Sequence, residues 1–239
     1  MPKVESVCVA EHVFRLLLPG TLCDGRVFKT MCAHWPRDTK MQVADVHGFG
    51  DPVVWWKHQL SVLPAQFDVV GFSLGGILAM QLLTLDPARV RRLVLVASNP
   101  QPATAAHAER VQAQRLVWQQ KGPRALALDL LQQTTAQARQ TPELIKVLQD
   151  MAEDTPSEAF DAQGQLNASR PDGTVALNRW RGPLLLISGA ADPWCGADKQ
   201  VLIQHVRPDA LWHELAEAGH YLPLECPNEL ARLTEDFLS

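Results

Sequence analysis

The sequence predicts a single α/β domain in which a mostly parallel, twisted sheet is flanked by helices. Strand and helix segments alternate over the first hundred residues, as is typical of parallel β-α units. The predicted strands are short apolar runs without polar alternation, the pattern of strands buried on both faces. The chain has 239 residues, of which 46% are apolar and 20% charged. That length and composition fit one large globular domain.

Short apolar runs bounded by turn residues define the predicted strands. The run from Val13 to Leu18 is broken only by Arg15 and stops at Pro19-Gly20. The predicted strands are residues 13–18, 41–46, 67–70, 92–97, 183–189 and 210–215, with 4–9 as a candidate edge strand. The predicted helices cover about 25–35, 52–63, 74–85, 197–206 and 228–238. The alternation of strand and helix stops after residue 97 and resumes at residue 183.

Residues 101–178 contain no predicted strand and are rich in Ala, Gln, Leu and Arg. Breaks at Gly122-Pro123, Thr141-Pro142 and Thr155-Pro156 predict three or four helices. We interpret this segment as a helical lid over the end of the sheet where substrates bind, inserted before the strand at 183–189. The predicted organisation is therefore a core of residues 1–100 and 179–239 with a lid of residues 101–178.

The segment Gly71-Phe72-Ser73-Leu74-Gly75 joins a predicted strand to a predicted helix. A serine in Gly-x-Ser-x-Gly at such a junction stands on a sharp turn with its hydroxyl clear of both elements. The two glycines leave room where side chains would collide with neighbouring elements. The first N–H groups of the helix face a developing negative charge. The sequence therefore predicts Ser73 as a catalytic nucleophile.

A catalytic serine needs a base that accepts its proton and a third group that orients the base. In doubly wound sheets ligands bind beyond the carboxyl ends of the strands, so both groups should follow strand ends. Asp192 directly follows the strand at 183–189, and His220 comes shortly after the strand at 210–215. We predict His220 as general base and later general acid, and Asp192 as the carboxylate that orients it.

Other histidines and acids fit these two roles less well. His47 also follows a strand end, but the neighbouring glycines indicate a tight turn, and we assign it to the wall of the substrate pocket. Asp198 and Asp209 fall in a helix and before the last strand, away from the carboxyl edge. Glu217 is close to His220 in the sequence and stays open as an alternative acid.

An oxyanion hole needs two preorganised N–H donors. Leu74 follows the serine and supplies one, and the loop after the first buried strand supplies the other. In that loop we predict Thr21, with Leu22 as the alternative. The candidate pocket residues are Leu22, His47, Trp118 and Trp194, although the helical spacing of the apolar lid residues is equally typical of packing.

Five separated motifs span the predicted sheet in order. They are LLPGT at 17–21, DVHGFG at 45–50, GFSLGG at 71–76, GAAD at 189–192 and GHYLPLECP at 219–227, with a weaker match in SRPD at 169–172. In these motifs the sequence resembles the α/β-hydrolase superfamily, and within it the small esterases of the pimeloyl-acyl-carrier-protein methyl ester carboxylesterase group. Pro19 stands where most relatives have histidine, and Asp51 where they have serine. We expect both differences to affect substrate preference and not the predicted triad.

The predicted reaction is two-step acyl transfer from a carboxylic ester or thioester to water. No cofactor or metal is expected, because the sequence has neither a His/Cys cluster at ligand spacing nor a glycine-rich phosphate loop. The resemblance leaves two alternatives: carbon–carbon bond hydrolysis or a menaquinone-type lyase reaction with the same triad, and a small-molecule receptor with little turnover.

Charge and cysteine content limit the partners and the compartment. A net charge of −4 and a pI near 6.0 give no reason to expect nucleic acid or membrane binding. Five widely spread cysteines fit free thiols in a reducing compartment, so we expect a cytoplasmic protein. A monomer and a homodimer both remain open. Lid residues 101–140 carry five basic and two acidic side chains. A basic surface of that kind is compatible with a carrier-protein-bound ester, although an ordinary solvated helix face explains it as well.

Overall fold

In the computed structural model, which describes residues 13–48, 50–136 and 139–239, six parallel strands form one sheet in the order β2-β1-β3-β4-β5-β6. The strands are β1 Arg15–Leu18, β2 Met41–Val43, β3 Phe67–Phe72, β4 Val90–Val96, β5 Leu184–Gly189 and β6 Leu211–Leu215. The parallel α/β sheet predicted from the sequence is confirmed. The candidate edge strand at 4–9 lies outside the described residues.

The central strands are buried on both faces, as their unbroken apolar runs predict. All residues of β1, β3 and β5 are buried. Successive strand side chains point to opposite faces, so Val70 and Leu17 belong to one hydrophobic cluster while Val69 and Leu16 belong to the other. The two clusters cover the two faces of the sheet, which fixes the register of each strand.

Helices connect the strands and cover the sheet. The core helices are α1 Lys29–Ala33, α2 Pro52–Val62, α3 Leu74–Leu85, α9 Ala197–Val206, α10 Leu222–Glu225 and α11 Pro227–Leu238. Asp51 caps α2, because its carboxylate accepts hydrogen bonds from the N–H groups of Val53 at 3.0 Å and Val54 at 2.9 Å. The acid that replaces the usual serine in this loop therefore serves as a helix cap.

Between β4 and β5 the described chain forms five helices, which we call the helical insertion: α4 Ala105–Lys121, α5 Pro123–Thr134, α6 Pro142–Asp154, α7 Ser157–Ser169 and α8 Gly173–Arg179. The sequence predicts three or four helices for this segment, and that prediction was wrong because it did not include the short α8. Asp172 starts this helix by accepting a hydrogen bond from the Thr174 N–H at 2.9 Å. Helices α4 to α7 pack on one another, whereas α8 packs on α3 and α9 of the core.

No helix among the described residues is both long and apolar enough to cross a bilayer. The four described cysteines, Cys23, Cys32, Cys195 and Cys226, have free thiols.

Candidate active site

The turn from β3 into α3 holds Ser73 in a backbone conformation that few residues adopt. Its φ of 52° and ψ of −112° lie outside the common regions for a residue with a side chain. A Cβ atom on Gly75 would collide with the carbonyl group of Leu18, and one on Gly71 would lie 2.7 Å from the carbonyl oxygen of Gly75. The two glycines are therefore required by the close approach of β1, β3 and α3.

The structure brings Ser73, His220 and Asp192 together at the carboxyl edge of the sheet. His220 Nε2 lies 3.0 Å from Ser73 Oγ, and His220 Nδ1 lies 2.8 Å from Asp192 Oδ2. With its proton on Nδ1, His220 donates to Asp192 and accepts from the serine hydroxyl. His220 and Asp192 are both buried. The alternative acid, Glu217, has a side chain that is 87% exposed and lies 3.7 Å from a guanidinium nitrogen of Arg139.

The carboxylate of Asp192 is held in its charged form. Burial alone would raise its pKa. The electrostatic attraction of His220, the His220 hydrogen bond and the backbone N–H groups of Trp194 and Cys195 together outweigh burial and lower the pKa of Asp192 below its ordinary value of 3.8. Those N–H groups lie 2.8 and 3.1 Å from Asp192 Oδ1. Both carboxylate oxygens are therefore occupied, and one of them is aimed at the imidazole.

The loop that carries His220 is fastened by a carboxylate that the sequence analysis did not single out. Glu225 accepts hydrogen bonds from the N–H groups of Gly219 and Tyr221, both at 2.8 Å, and from the Thr135 hydroxyl at 3.0 Å. The His220 N–H donates to the Thr134 carbonyl oxygen at 3.0 Å. The end of α5 in the helical insertion therefore helps to place the imidazole. The GHYLPLECP motif included Glu225, but it gave no sign of this role.

The backbone N–H groups of Leu74, Thr21 and Leu22 are the sequence-predicted candidates for an oxyanion hole. Leu74 is the first residue of α3, and the first N–H groups of a helix have no partner within the helix. Thr21 lines the same cavity as Ser73. The Leu22 N–H instead donates to Gln163 Oε1 at 3.1 Å. Of the two candidates in this loop, Thr21 lines the cavity, and the N–H group of Leu22 is already hydrogen-bonded.

A cavity of about 100 Å³ opens beside Ser73 and His220. Of the four predicted pocket residues, Trp194 lines this cavity, with its ring 5.3 Å from that of His220. Leu22, His47 and Trp118 are not among the described residues that line it. His47 Nε2 lies 3.2 Å from Thr155 Oγ1. The Trp118 ring stacks on Phe160 with centroids 4.5 Å apart.

The helical insertion supplies polar cavity residues that the sequence analysis missed. They are His107, Arg110, Gln114, Asn167 and Arg170. Arg110 contributes to the positive charge of residues 101–140 and Arg170 belongs to the SRPD motif, but neither pattern predicts a position in the cavity. No local pattern indicated that they face the serine, because the packing of the insertion on the core determines which helix face does so.

Asp192, Cys195 and His220 offer three potential metal-ligand atoms within 4.8 Å of one another. Two of these side chains are already hydrogen-bonded to each other. Burial raises the pKa of the Cys195 thiol well above its ordinary value. The donor set therefore fits a hydrogen-bonded Ser-His-Asp arrangement better than a metal centre.

The chain as a whole is similar in sequence to several known proteins. Residues 9–233 match the model of the alpha/beta hydrolase family. The pimeloyl-[acyl-carrier protein] methyl ester esterase of Aromatoleum aromaticum is 27% identical over 250 aligned positions, which cover 92% of this chain and 96% of that protein. The biotin biosynthesis bifunctional protein BioHC of Teredinibacter turnerae is 24% identical over 226 residues, or 84% of this chain. The chain spans only 39% of the length of that relative.

A solved structure shows the same architecture. The thermophilic esterase from Thermogutta terrifontis superposes with a TM-score of 0.81 at 20% identity, covering 95% of this chain and 89% of that chain. At this identity the likeness concerns the fold. The α/β-hydrolase fold expected from the five sequence motifs is confirmed.

Proposed function

The chain belongs to the alpha/beta hydrolase family, and on that premise we propose that it is a serine hydrolase that cleaves carboxylic esters or thioesters. The main support is the hydrogen-bonded series in which His220 Nε2 lies 3.0 Å from Ser73 Oγ and His220 Nδ1 lies 2.8 Å from Asp192. This is the arrangement that lets a histidine take the proton of a serine hydroxyl. The positive φ of Ser73 and the glycines around it support the same role.

The first half of the reaction forms an acyl-enzyme. Ser73 Oγ attacks the carbonyl carbon while His220 Nε2 takes the hydroxyl proton, and Asp192 stabilises the resulting imidazolium. The N–H groups of Leu74 and Thr21 bind the oxyanion. When the tetrahedral intermediate collapses, His220 returns the proton to the departing alcohol or thiol.

The second half repeats these steps with water. His220 takes a proton from the water as the water oxygen attacks the acyl carbon. The carboxylic acid leaves as the proton returns to Ser73 Oγ. No cofactor takes part in either half of this mechanism.

We assign the helical insertion to the lid of this site. Its helices contribute part of the cavity wall, and α5 contacts the His220 loop through Thr134 and Thr135. A cavity of about 100 Å³ is smaller than the cavity of about 150 Å³ that admits benzene in an engineered protein. We therefore propose that the group bound next to Ser73 is short. Relatives named for a carrier-protein-bound ester make such an ester one form of the substrate.

Replacement of the nucleophile tests the proposal. We expect Ser73→Ala to lower kcat on p-nitrophenyl butyrate by roughly 10³-fold or more. A fluorophosphonate probe should label the wild-type protein at Ser73 and leave the variant unlabelled. Ser61→Ala, which removes an exposed hydroxyl from α2, is the matched control and should retain both activity and labelling.

Two outcomes would contradict the proposal. Full esterase activity in Ser73→Ala would show that another residue is the nucleophile. A wild-type protein that binds esters without turnover would favour the receptor alternative. Parallel assays with diketone and succinyl-cyclohexene substrates separate ester cleavage from carbon–carbon bond hydrolysis and from the lyase reaction.

A further inference from the structure

The cavity beside Ser73 has an excess of positive charge. Two arginines, Arg110 and Arg170, line it together with neutral polar side chains. No carboxylate is among the described residues that line the cavity. Asp192 is hydrogen-bonded to the imidazole of His220, and both of its oxygens are occupied. The walls therefore present two positive charges that no lining acid neutralises.

Arg170 is a buried cation whose partners are all neutral. The residue is 6% exposed to solvent. The guanidinium donates to the Gln101 carbonyl oxygen at 3.0 Å, to the Asn167 carbonyl oxygen at 2.9 Å and to His107 Nε2 at 2.8 Å. Within the described chain it forms no ion pair. A guanidinium taken out of water without a counter-ion is costly.

The neutral state of His107 follows from the same surroundings. Its pKa is lowered first by burial and then by the positive charges of Arg170, Arg110 and Lys199. A neutral imidazole accepts the Arg170 hydrogen bond but contributes no negative charge. The positive field of the two arginines in the cavity is therefore not cancelled locally.

Arg110 lies closer to solvent and has donors available. Its guanidinium carbon lies 5.3 Å from the centroid of the Trp194 ring, and the Trp194 ring lies 5.3 Å from the His220 ring. Arg110 is thus separated from the catalytic histidine by one indole ring. Among the described residues it forms neither an ion pair nor a hydrogen bond to a carboxylate. Other arginines of the insertion are paired, as Arg115 is with Asp161 and Arg124 with Asp150.

We propose that the cavity binds the carboxylate of its substrate, with Arg110 as the direct ligand and Arg170 as a second, fixed positive charge. The substrate class is a short ester or thioester that bears a carboxylate a few carbon atoms from the scissile carbonyl group, such as the monoester of a short dicarboxylic acid. A guanidinium binds a carboxylate through paired, charge-assisted hydrogen bonds. The substrate then supplies the negative charge that the cavity wall lacks.

The reaction assigned to such a substrate rests on the proposed function, but the binding preference does not. Two isosteric ligands isolate the charge: monomethyl glutarate, and methyl 5-oxohexanoate, in which a methyl group replaces the carboxylate oxygen. We expect the Ser73→Ala protein, which cannot hydrolyse either ester, to bind monomethyl glutarate about 10-fold or more tightly than it binds methyl 5-oxohexanoate. Titration calorimetry measures both affinities. In the wild-type protein the ratio of kcat/KM should favour the same ester by a similar factor.

Three variants test the role of Arg110. Arg110→Gln should reduce the preference for the charged ligand about 10-fold, and Arg110→Lys should retain only part of it, because an ammonium group keeps the positive charge but not the paired hydrogen bonds of a guanidinium. Lys121→Gln removes one positive charge from the exposed end of the same helix without touching the cavity, and it should leave the preference unchanged.

The outcomes separate this inference from the proposed function. Equal affinity of Ser73→Ala for the two ligands, or a preference that survives Arg110→Gln, overturns the carboxylate site even if both esters are hydrolysed. Failure of wild-type protein to hydrolyse any ester in a Ser73-dependent way overturns the proposed function, while calorimetry still decides the binding preference. A preference lost equally in Lys121→Gln would mean that overall charge, not Arg110, causes it.

Discussion

Asp192 shows how a single side chain depends on its immediate surroundings. Three hydrogen bonds and the neighbouring imidazole lower its pKa. We expect Asp192→Asn, which keeps the shape but not the charge, to lower kcat by roughly 10³- to 10⁴-fold. The amide does not stabilise an imidazolium, and its NH₂ group favours the wrong tautomer of His220. Steady-state kinetics on the ester used for Ser73→Ala measure this loss.

The same variant should change how stability depends on acid. A carboxyl group whose folded pKa lies below its unfolded value stabilises the folded state at neutral pH, and this contribution is lost as pH falls through the folded pKa. Wild-type protein should therefore lose stability more steeply than Asp192→Asn on acidification below about pH 4. Urea unfolding at several pH values measures the difference. Parallel stability curves would mean that Asp192 is no better stabilised in the folded than in the unfolded chain.

At the scale of elements, helix α7 of the insertion holds two loops of the core. The buried Gln163 accepts a hydrogen bond from the Leu22 N–H at 3.1 Å and donates one to the Val46 carbonyl oxygen at 3.0 Å. Leu22 follows Thr21, the proposed oxyanion donor, and its positive φ of 58° needs support from its surroundings. Gln163 therefore fastens the loop that follows β1.

Loss of this amide should affect the chemical step more than substrate binding. We expect Gln163→Leu to lower kcat roughly 10- to 100-fold with a smaller change in KM, because the Thr21 N–H would no longer be fixed toward the oxyanion. Gln163→Glu keeps the acceptor for Leu22 and should recover part of kcat. Gln165→Leu, on the exposed face of the same helix, is the control. A kcat that Gln163→Leu leaves intact would limit Gln163 to a structural role.

The elements also show what local sequence signals predict. The sequence predicts that Ser73, Asp192 and His220 lie close together, because each follows its own strand and parallel strands bring their carboxyl ends to one edge. His47 follows a predicted strand end and Trp118 lies among the apolar residues of the predicted lid, which is why the sequence predicts both in the pocket. Their positions instead depend on contacts with Phe160 and Thr155, which are more than forty residues away. Gln163 and Glu225 were missed because they bond mainly to backbone groups of loops, which no periodic pattern reports.

At the scale of the whole molecule, the helical insertion rejoins the core at the end of the sheet opposite the candidate active site. The chain returns from α8 to β5 through residues 180–183, and the fully buried Arg207 holds this return. Its guanidinium donates to the carbonyl oxygens of Trp180 at 2.9 Å and Gly182 at 2.7 Å. It also pairs with the carboxylate of Asp209 at 2.7 Å, and hydrogen bonding to Arg207 lowers the pKa of Asp209 to about 2.

This junction should matter for stability and not for chemistry. Arg207→Met keeps the apolar stem but leaves buried carbonyl groups without donors, at a cost of about 3 kcal/mol, which corresponds to a fall in Tm of roughly 6 to 12 °C for a chain of this size. Arg232→Met removes only an exposed pair with Asp236 and should hardly change Tm.

Well below its Tm, Arg207→Met should keep the wild-type kcat, because Arg207 is bonded to the chain segments that lead into β5 and β6 and not to the residues around Ser73. Thermal unfolding followed by circular dichroism, together with esterase assays at low temperature, measures both quantities. If Tm stayed constant, water would be satisfying the carbonyl groups in place of Arg207. If kcat fell together with Tm, the opposite ends of the sheet would be coupled. A change in the core would then be transmitted to the helical insertion.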